Sequence, residues 1–290
     1  MKYKYSLDRS SRKFACPACN RKTFVRYTLT ETGEYLDSNL GRCDRESKCA
    51  YHNSPKGNTT LGNTSDIKIK SVLQNFHSDC VIGQYGRHHN KNSFISYLLQ
   101  HFAAIDVRQA IFKYFIGTSD HWNGATIFWQ VNDQMKVCAG KVMLYDKTTG
   151  KRIKKPYPHI NWMHKVLRLD DFVLQQCLFG IHNLCDYTTE RTICIVESEK
   201  TAVIMSIMQP AYLWLATGSK SNLKEALLKP LKNHNVIVFP DKTEYETWNT
   251  KVQYLNSIGF NVSCSALLER QNIEEGSDLV DYLKLTKLVV

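Results

Sequence analysis

The chain has 290 residues, of which 43% are hydrophobic, 22% charged and 11% aromatic, a globular mix that excludes a disordered or collagen-like protein. No apolar run reaches 18 residues, which excludes a transmembrane helix, and Met1–Ser6 lacks the apolar stretch of a signal peptide; the expectation is a cytoplasmic protein with no membrane partner. There are 38 Lys and Arg against 27 Asp and Glu, a formal net charge of +11. Residues 1–190 hold 27 basic and 16 acidic side chains and residues 191–290 hold 11 of each. The whole excess therefore sits in the first two thirds, which points to a polyanion partner there, nucleic acid before others.

Residues 1–55 carry Cys16-Pro-Ala-Cys19 and, downstream, Cys43-x5-Cys49-x2-His52. Thiolates and imidazole at knuckle spacing suit a closed tetrahedral zinc site. Five candidate ligands compete for four positions: Cys16, Cys19, Cys43 and Cys49 are favoured, with His52 as the alternate. Thr23–Leu29 and Tyr35–Gly41 read as a hairpin turning near Thr32-Gly33, so the segment is a zinc ribbon. A segment this short and charged has little core and needs such a staple. Arg21, Lys22, Arg26, Arg42, Arg45 and Lys48 surround the ligands, interleaved with Phe24, Tyr27 and Tyr35. That mixture suits either a single-strand platform, with Arg42 and Arg45 as contacts, or the small core of the ribbon itself.

Residues 53–66 are polar and rich in turn formers, and a linker is assigned to 56–70. Residues 71–190 then read as an α+β domain. Phe94, Tyr97, Leu98 and His101-Phe102 recur at helical spacing, a second helix runs over about 107–114, and 124–146 reads as a hairpin or meander. The run Lys151, Arg152, Lys154 and Lys155, followed by Tyr157, His159 and Trp162, combines cations with rings. It suits a phosphate track for a single strand, or a solvated hairpin turn after Asp146. From 191 to 290, short apolar strands alternate with helices: strands at 192–196, 211–216, 235–239 and 261–265, helices at 199–208, 223–231, 245–258 and 278–285. This is the pattern of a parallel α/β sheet. The expected fold class is therefore α/β, with an N-terminal zinc ribbon, an α+β middle domain and a parallel α/β C-terminal domain.

In the last domain, Glu197 and Asp241 each follow an apolar strand, and Asp278 and Asp281 open the final helix. Carboxylates at the carboxyl ends of parallel strands can jointly hold Mg2+. Glu199 and Asp281 can equally cap helix N-termini. There is no G-x-x-x-x-G-K-[ST] run and hence no nucleotide-driven motor of that type.

Glu197 after one strand, Asp241 after another and Asp278-x-x-Asp281 resemble the Toprim domain of primases, topoisomerases and some nucleases. Val196-Glu-Ser-Glu-Lys-Thr-Ala202 is similar to the Toprim opening V-E-G-E-K-D-A. The whole chain resembles a zinc-ribbon plus Toprim primase-like family of bacterial mobile elements and phages. The matching stretches include 16–19, 41–46, 140–146, 149–152, 179–182, 196–202 and 216–219. The resemblance implies that Glu197 acts as general acid/base or metal ligand, that Asp241 opens an Asp-x-Asp metal motif, and that Lys200 belongs to the same catalytic set. It also implies Mg2+ or Mn2+ held by Glu197, Asp241 and Asp278. The chain departs from that pattern at Ser198 for Gly, Thr201 for Asp and Thr243 for the second metal-motif Asp, with Glu244 one residue further on. Three functions follow: a primase-like nucleotidyltransferase on single-stranded DNA using nucleoside triphosphates; a non-catalytic DNA-binding or scaffold protein with a degenerate Toprim domain; or a Toprim nuclease. A replicative helicase or a mobilisation protein is the implied protein partner.

Overall fold

The computed structural model describes residues 4–10, 12–45, 49–55, 75–187 and 191–287. The linker assigned to 56–70, and Lys48, lie outside the described residues. The chain divides into two compact units, residues 1–72 and 73–290.

The first unit is an antiparallel sheet of β1 (Tyr5–Leu7), β2 (Phe14–Ala15), β3 (Lys22–Leu29), β4 (Gly41–Cys43) and β5 (His52–Asn53). The order is β1-β3-β4-β5, with β2 also paired to β3. Gly33, at φ +74°, closes the turn after β3 and gives its N–H to the Leu29 carbonyl at 2.8 Å. Gly41 is required by crowding, because a Cβ there would stand 2.2 Å from the Val25 carbonyl oxygen and 2.5 Å from the Phe24 ring. The buried core is Phe24 with Cys16 and Cys43, against which Phe14, Cys19, Cys49 and Tyr51 pack. Three rings and four sulfurs, with Val25, Leu36 and Leu40 also buried, are too little apolar surface to hold a fold without a crosslinking ion. The expected hairpin is half realised: β3 matches, but its partner is a single bridge from Thr28 to Tyr35 followed by β4.

The second unit opens with α1 (Cys80–Tyr85), α2 (Ser93–His101) and α3 (Ala104–Lys113). The buried Asn92 caps α2, its side chain accepting from the N–H groups of Phe94 and Ile95 at 3.1 Å. An antiparallel sheet follows, β6 (Gly117–Ser119), β7 (Ala125–Val131), β8 (Val137–Met143) and β9 (Ile160–Trp162) in that order, and then α4 (Met163–Val166). The rest alternates: β10 (Ile193–Val196), α5 (Glu199–Met208), β11 (Leu213–Ala216), α6 (Glu225–Leu228), β12 (Asn235–Phe239), α7 (Tyr245–Ser257), β13 (Asn261–Cys264) and α8 (Leu279–Lys287). All pairs in this sheet are parallel, in the order β11-β10-β12-β13. Every residue of β10 is buried, as expected of a central strand covered on both faces.

The fold class expected from sequence is thus observed. The middle and C-terminal segments nevertheless share one core. Phe94, Tyr97, Tyr114 and Phe128 pack with Val196, Ala202, Trp214 and Leu279, and the Tyr114 hydroxyl donates to the Trp214 carbonyl at 2.8 Å. Neither sheet could bury its inner face alone, so the two fold as one unit.

Candidate functional site

The four cysteine sulfurs of the first unit lie within 4.8 Å of one another. Cys16 and Cys49 are 3.8 Å apart and Cys19 and Cys43 are 4.0 Å apart, spacings suited to the edges of a tetrahedron around zinc. The Arg21 N–H, pointing at Cys19, pulls that thiol down to about 6, so the thiolate form that binds metal is favoured. His52 is elsewhere, its Nε2 3.0 Å from the Tyr27 hydroxyl. The ribbon's rings are similarly engaged. Phe24 lies in the core, and the Tyr35 hydroxyl donates to Asp8 at 2.5 Å. The Arg26 guanidinium lies 5.1 Å from both the Phe14 and Tyr35 rings. Arg42 projects from β4 as an exposed residue, and the Arg45 carbonyl receives the Cys49 N–H at 2.8 Å.

In the second unit, strand register gathers the acids. Val196 stands opposite Ala216 and Phe239, so the residues that follow them leave the same edge of the sheet. The turn after β12 is closed by the Glu244 N–H on the Asp241 carbonyl at 3.0 Å. It is stitched to 276–277 by Lys242 N–H to Ser277 O and Gly276 N–H to Lys242 O, at 3.0 and 3.1 Å. This pairing carries Asp278 to the side of Asp241.

The acids then divide by partner. Asp278 is fully engaged: Oδ2 accepts from the Thr201 hydroxyl at 2.6 Å and faces Lys200 Nζ at 3.5 Å. Its Oδ1 accepts from the N–H groups of Val280 and Asp281 at 2.9 and 3.0 Å. Asp281 returns a bond to the Asp278 N–H at 3.2 Å, which completes a capping box on α8. Burial opposes ionisation of Asp278, but Lys200 and these bonds outweigh it and hold the carboxyl below its usual range. Thr201, where the Toprim pattern has Asp, is thus a partner of Asp278. Glu244 pairs with Lys220 at 2.8 Å. Thr243 sits at φ +80° with its N–H on Glu269 at 3.0 Å, an uncommon backbone for a β-branched residue.

Asp241 is different. Among the described residues its carboxylate has no hydrogen bond or salt bridge. Burial, then the charges of Asp278 and Glu197, push it up to about 8 against the opposing Lys200. Glu197, half-buried at the end of β10, is also raised, by burial and then by Glu244, while Lys220 and Lys141 pull the other way. Beside this edge lies a cavity of about 690 Å3, lined by Lys151, Arg152, Lys154, Lys155 and Lys200 and by the acids Glu274, Glu275, Asp278 and Asp281; Glu197 and Asp241 are not among its lining residues. The structure therefore brings the middle basic run and part of the acidic set to one cleft.

Sequence reasoning missed Lys141. It is a buried lysine on β8 whose Nζ reaches both Glu199 oxygens, at 3.1 and 3.2 Å, and the Gly218 carbonyl at 2.8 Å. The Gly218 N–H in turn donates to the Glu197 carbonyl at 2.8 Å. Glu199 is accordingly no helix cap but half of a buried ion pair that joins the antiparallel sheet to the loop beside Glu197. A lone lysine inside an otherwise apolar strand, Val137–Met143, was the available signal.

A family described as Domain of unknown function (DUF6371) matches residues 92–242, just over half of the chain. The chain belongs to this family. Its match spans both Lys141 and Glu197 and ends one residue past Asp241. A zinc beta-ribbon finger family matches residues 3–63, and with the cysteine quartet it identifies a structural zinc site. No curated protein matches. Among solved structures, a DnaG primase catalytic domain bound to single-stranded DNA is 14% identical, with 72% of this chain and 75% of that one covered, at a TM-score of 0.45. The Bacteriophage T7 primase fragment is 12% identical, covering 96% and 99%, at 0.42. The Aquifex aeolicus primase, with its zinc-binding and RNA polymerase domains, is 10% identical, covering 98% and 80%, at 0.43. Among the described residues, no helix is long and apolar enough to cross a membrane.

Proposed function

We propose that the protein is a primase-like nucleotidyltransferase with a Toprim-type site, acting on single-stranded DNA with nucleoside triphosphates and a divalent cation. The observation that carries this reading is Asp241, a half-buried carboxylate without a hydrogen bond or ion pair among the described residues, which desolvation and then the charges of Asp278 and Glu197 push up to about 8. A carboxylate that is partly desolvated beside two other acids is costly to ionise unless a cation neutralises it. The donors are all oxygens, which suits Mg2+ or Mn2+. Asp241 would hold it, with Asp278, already engaged by Lys200 and Thr201, shaping the acidic side of the site and Glu197 left free for proton transfer. Bound there, the ion supplies Lewis-acid polarisation of a phosphoryl oxygen.

The chain's own groups do the rest. Glu197 is held half-buried with a raised pKa, which suits it to take the proton of an attacking hydroxyl. Lys200, fixed by Asp278 at 3.5 Å, presents positive charge on the cleft wall where phosphate charge develops. Lys151, Arg152, Lys154 and Lys155 line the same cleft and would hold the strand's phosphates. The zinc ribbon, with Arg42 and Arg45, would engage template. A mobile-element setting, with a replicative helicase or mobilisation protein as partner, belongs to the same proposal.

Thr243 favours a second reading, a non-catalytic DNA-binding protein, because it replaces a carboxylate and its N–H is committed to Glu269. Incubation of zinc-loaded protein with single-stranded DNA, Mg2+ or Mn2+ and labelled nucleoside triphosphates separates the two. Labelled oligomers from wild type, absent with Glu197→Gln and Asp241→Asn, support the transferase. DNA binding with no product from any protein supports the second reading, and shortened DNA assigns a nuclease instead.

A further inference from the structure

Beside the basic run the second unit carries rings in mutual contact, to which the reading above gives no role. Tyr157, 51% exposed, stacks on His159 with centroids 4.6 Å apart and planes at 26°. His159 meets the Trp122 ring edge-on at 5.1 Å, and Trp122 lies 4.5 Å from His121. We propose that this array, with Tyr157 outermost, is a stacking shelf for a base of the single-stranded DNA that enters the cleft; the proposal rests on the reading that the protein handles such a strand.

The array is fixed rather than loose. The His159 main-chain N–H and ring Nδ1 stand 3.4 and 3.2 Å from the Ile153 carbonyl oxygen, and the Ile153 N–H donates to Leu144 at 3.0 Å. The rings are thereby stitched to the segment that carries Lys151, Arg152, Lys154 and Lys155, itself bridged to Tyr145 through Arg152. Pro156 and Pro158 flank Tyr157 and restrict its backbone. A platform held in place before binding loses little conformational freedom when a base lands on it.

Charge names the occupant. From Lys147 to Leu169 there is no Asp or Glu, while Lys147, Lys151, Arg152, Lys154, Lys155, Lys165 and Arg168 fall within that stretch. An exposed π face next to a rail of cations matches a single strand, whose phosphates follow the cations while a base stacks on the ring. The same cations line one cavity with Lys200 and with the acids Glu274, Glu275, Asp278 and Asp281, so a strand stacked on Tyr157 has its phosphates on the cations and runs toward the acidic edge.

The test is equilibrium binding of fluorescent 15-mers to the full, zinc-loaded chain, with oligo(dT), an abasic strand of equal length and oligo(rU). Tyr157→Ala is expected to weaken oligo(dT) binding by about 5- to 30-fold, leave the abasic strand unaffected and leave the salt slope unchanged. Tyr157→Trp is expected to retain binding. Replacing Lys154 and Lys155 by Ala should weaken both DNA strands and flatten the salt slope by about 0.7 per lysine. Equal loss on oligo(dT) and the abasic strand, or no loss on either, overturns the shelf, and oligo(rU) binding tenfold tighter than oligo(dT) overturns the choice of DNA. Phosphoryl transfer is assayed separately on wild type and Tyr157→Ala, so a failure of transfer by wild type and a failure of the shelf are read separately.

Discussion

Replacing Asp241 by Asn should make the metal-free protein more stable while abolishing its response to divalent cations. In the folded chain burial and the neighbouring Asp278 and Glu197 raise this acid from 3.8 to about 8. The folded state then binds the proton more tightly than the unfolded state. Its favourable contribution is complete below about pH 4 and is lost as pH rises through 8. At 1.36 kcal/mol per pH unit, keeping the group protonated at pH 7 costs about 4 kcal/mol. Partial solvation of the carboxylate and a high effective dielectric reduce this to about 2 kcal/mol. Asn carries no such penalty, so the variant should gain about 2 kcal/mol at pH 7, or about 4–8 °C in Tm for a unit of this size. All five tryptophans, Trp122, Trp129, Trp162, Trp214 and Trp248, lie in the second unit, so tryptophan fluorescence during urea or thermal unfolding follows that unit alone. Wild type should lose stability from pH 5 to pH 8 and recover it with millimolar Mn2+; the variant should show a flatter profile and no recovery. A variant no more stable than wild type at pH 7, or equally stabilised by Mn2+, would refute the assignment of Asp241 as a cation-seeking acid.

Three further outcomes are expected. Lys141→Ala strands the buried Glu199 and should cost about 3–5 kcal/mol in urea unfolding, whereas replacing both partners by apolar residues should restore most of it; a loss below about 1 kcal/mol would show that the pair is not the link between sheet and loop. Gly218→Ala meets two obstacles, a φ of +73° and a new Cβ 2.8 Å from Glu199 Oε1, and should cost about 1–3 kcal/mol by the same measurement. Cys16→Ser, or a strong zinc chelator, should remove the zinc found by elemental analysis and collapse the ribbon while tryptophan fluorescence of the second unit stays unchanged; retention of one zinc per chain would place the metal elsewhere.

Much of this was legible in the residues alone, wherever the deciding interaction is short in sequence. The cysteine pairs lie at knuckle spacing, and the same four sulfurs converge. Strand–helix alternation after residue 191 predicts four strands, and four parallel strands form, with Glu197 and Asp241 leaving the same edge. Even the capping role of Asp281 is local, an i to i−3 bond on Asp278.

What the linear pattern could not decide was which of these groups are already satisfied. Asp241 and Asp278 look alike as acids near strand and helix ends. Folding gives Asp278 the Thr201 hydroxyl and a salt bridge to Lys200 across more than 75 residues and leaves Asp241 with only the coulombic pull of that lysine. Lys141 becomes a buried anchor only when β8 packs beside α5 and brings it to Glu199, 58 positions away. His52 shares the spacing of a metal ligand, yet strand pairing turns it to Tyr27. Local spacing specifies zinc knuckles, strands and caps because few covalent links separate the partners. The charge state of a buried acid depends instead on every group packed around it, and only sheet register and the shared core bring those groups together.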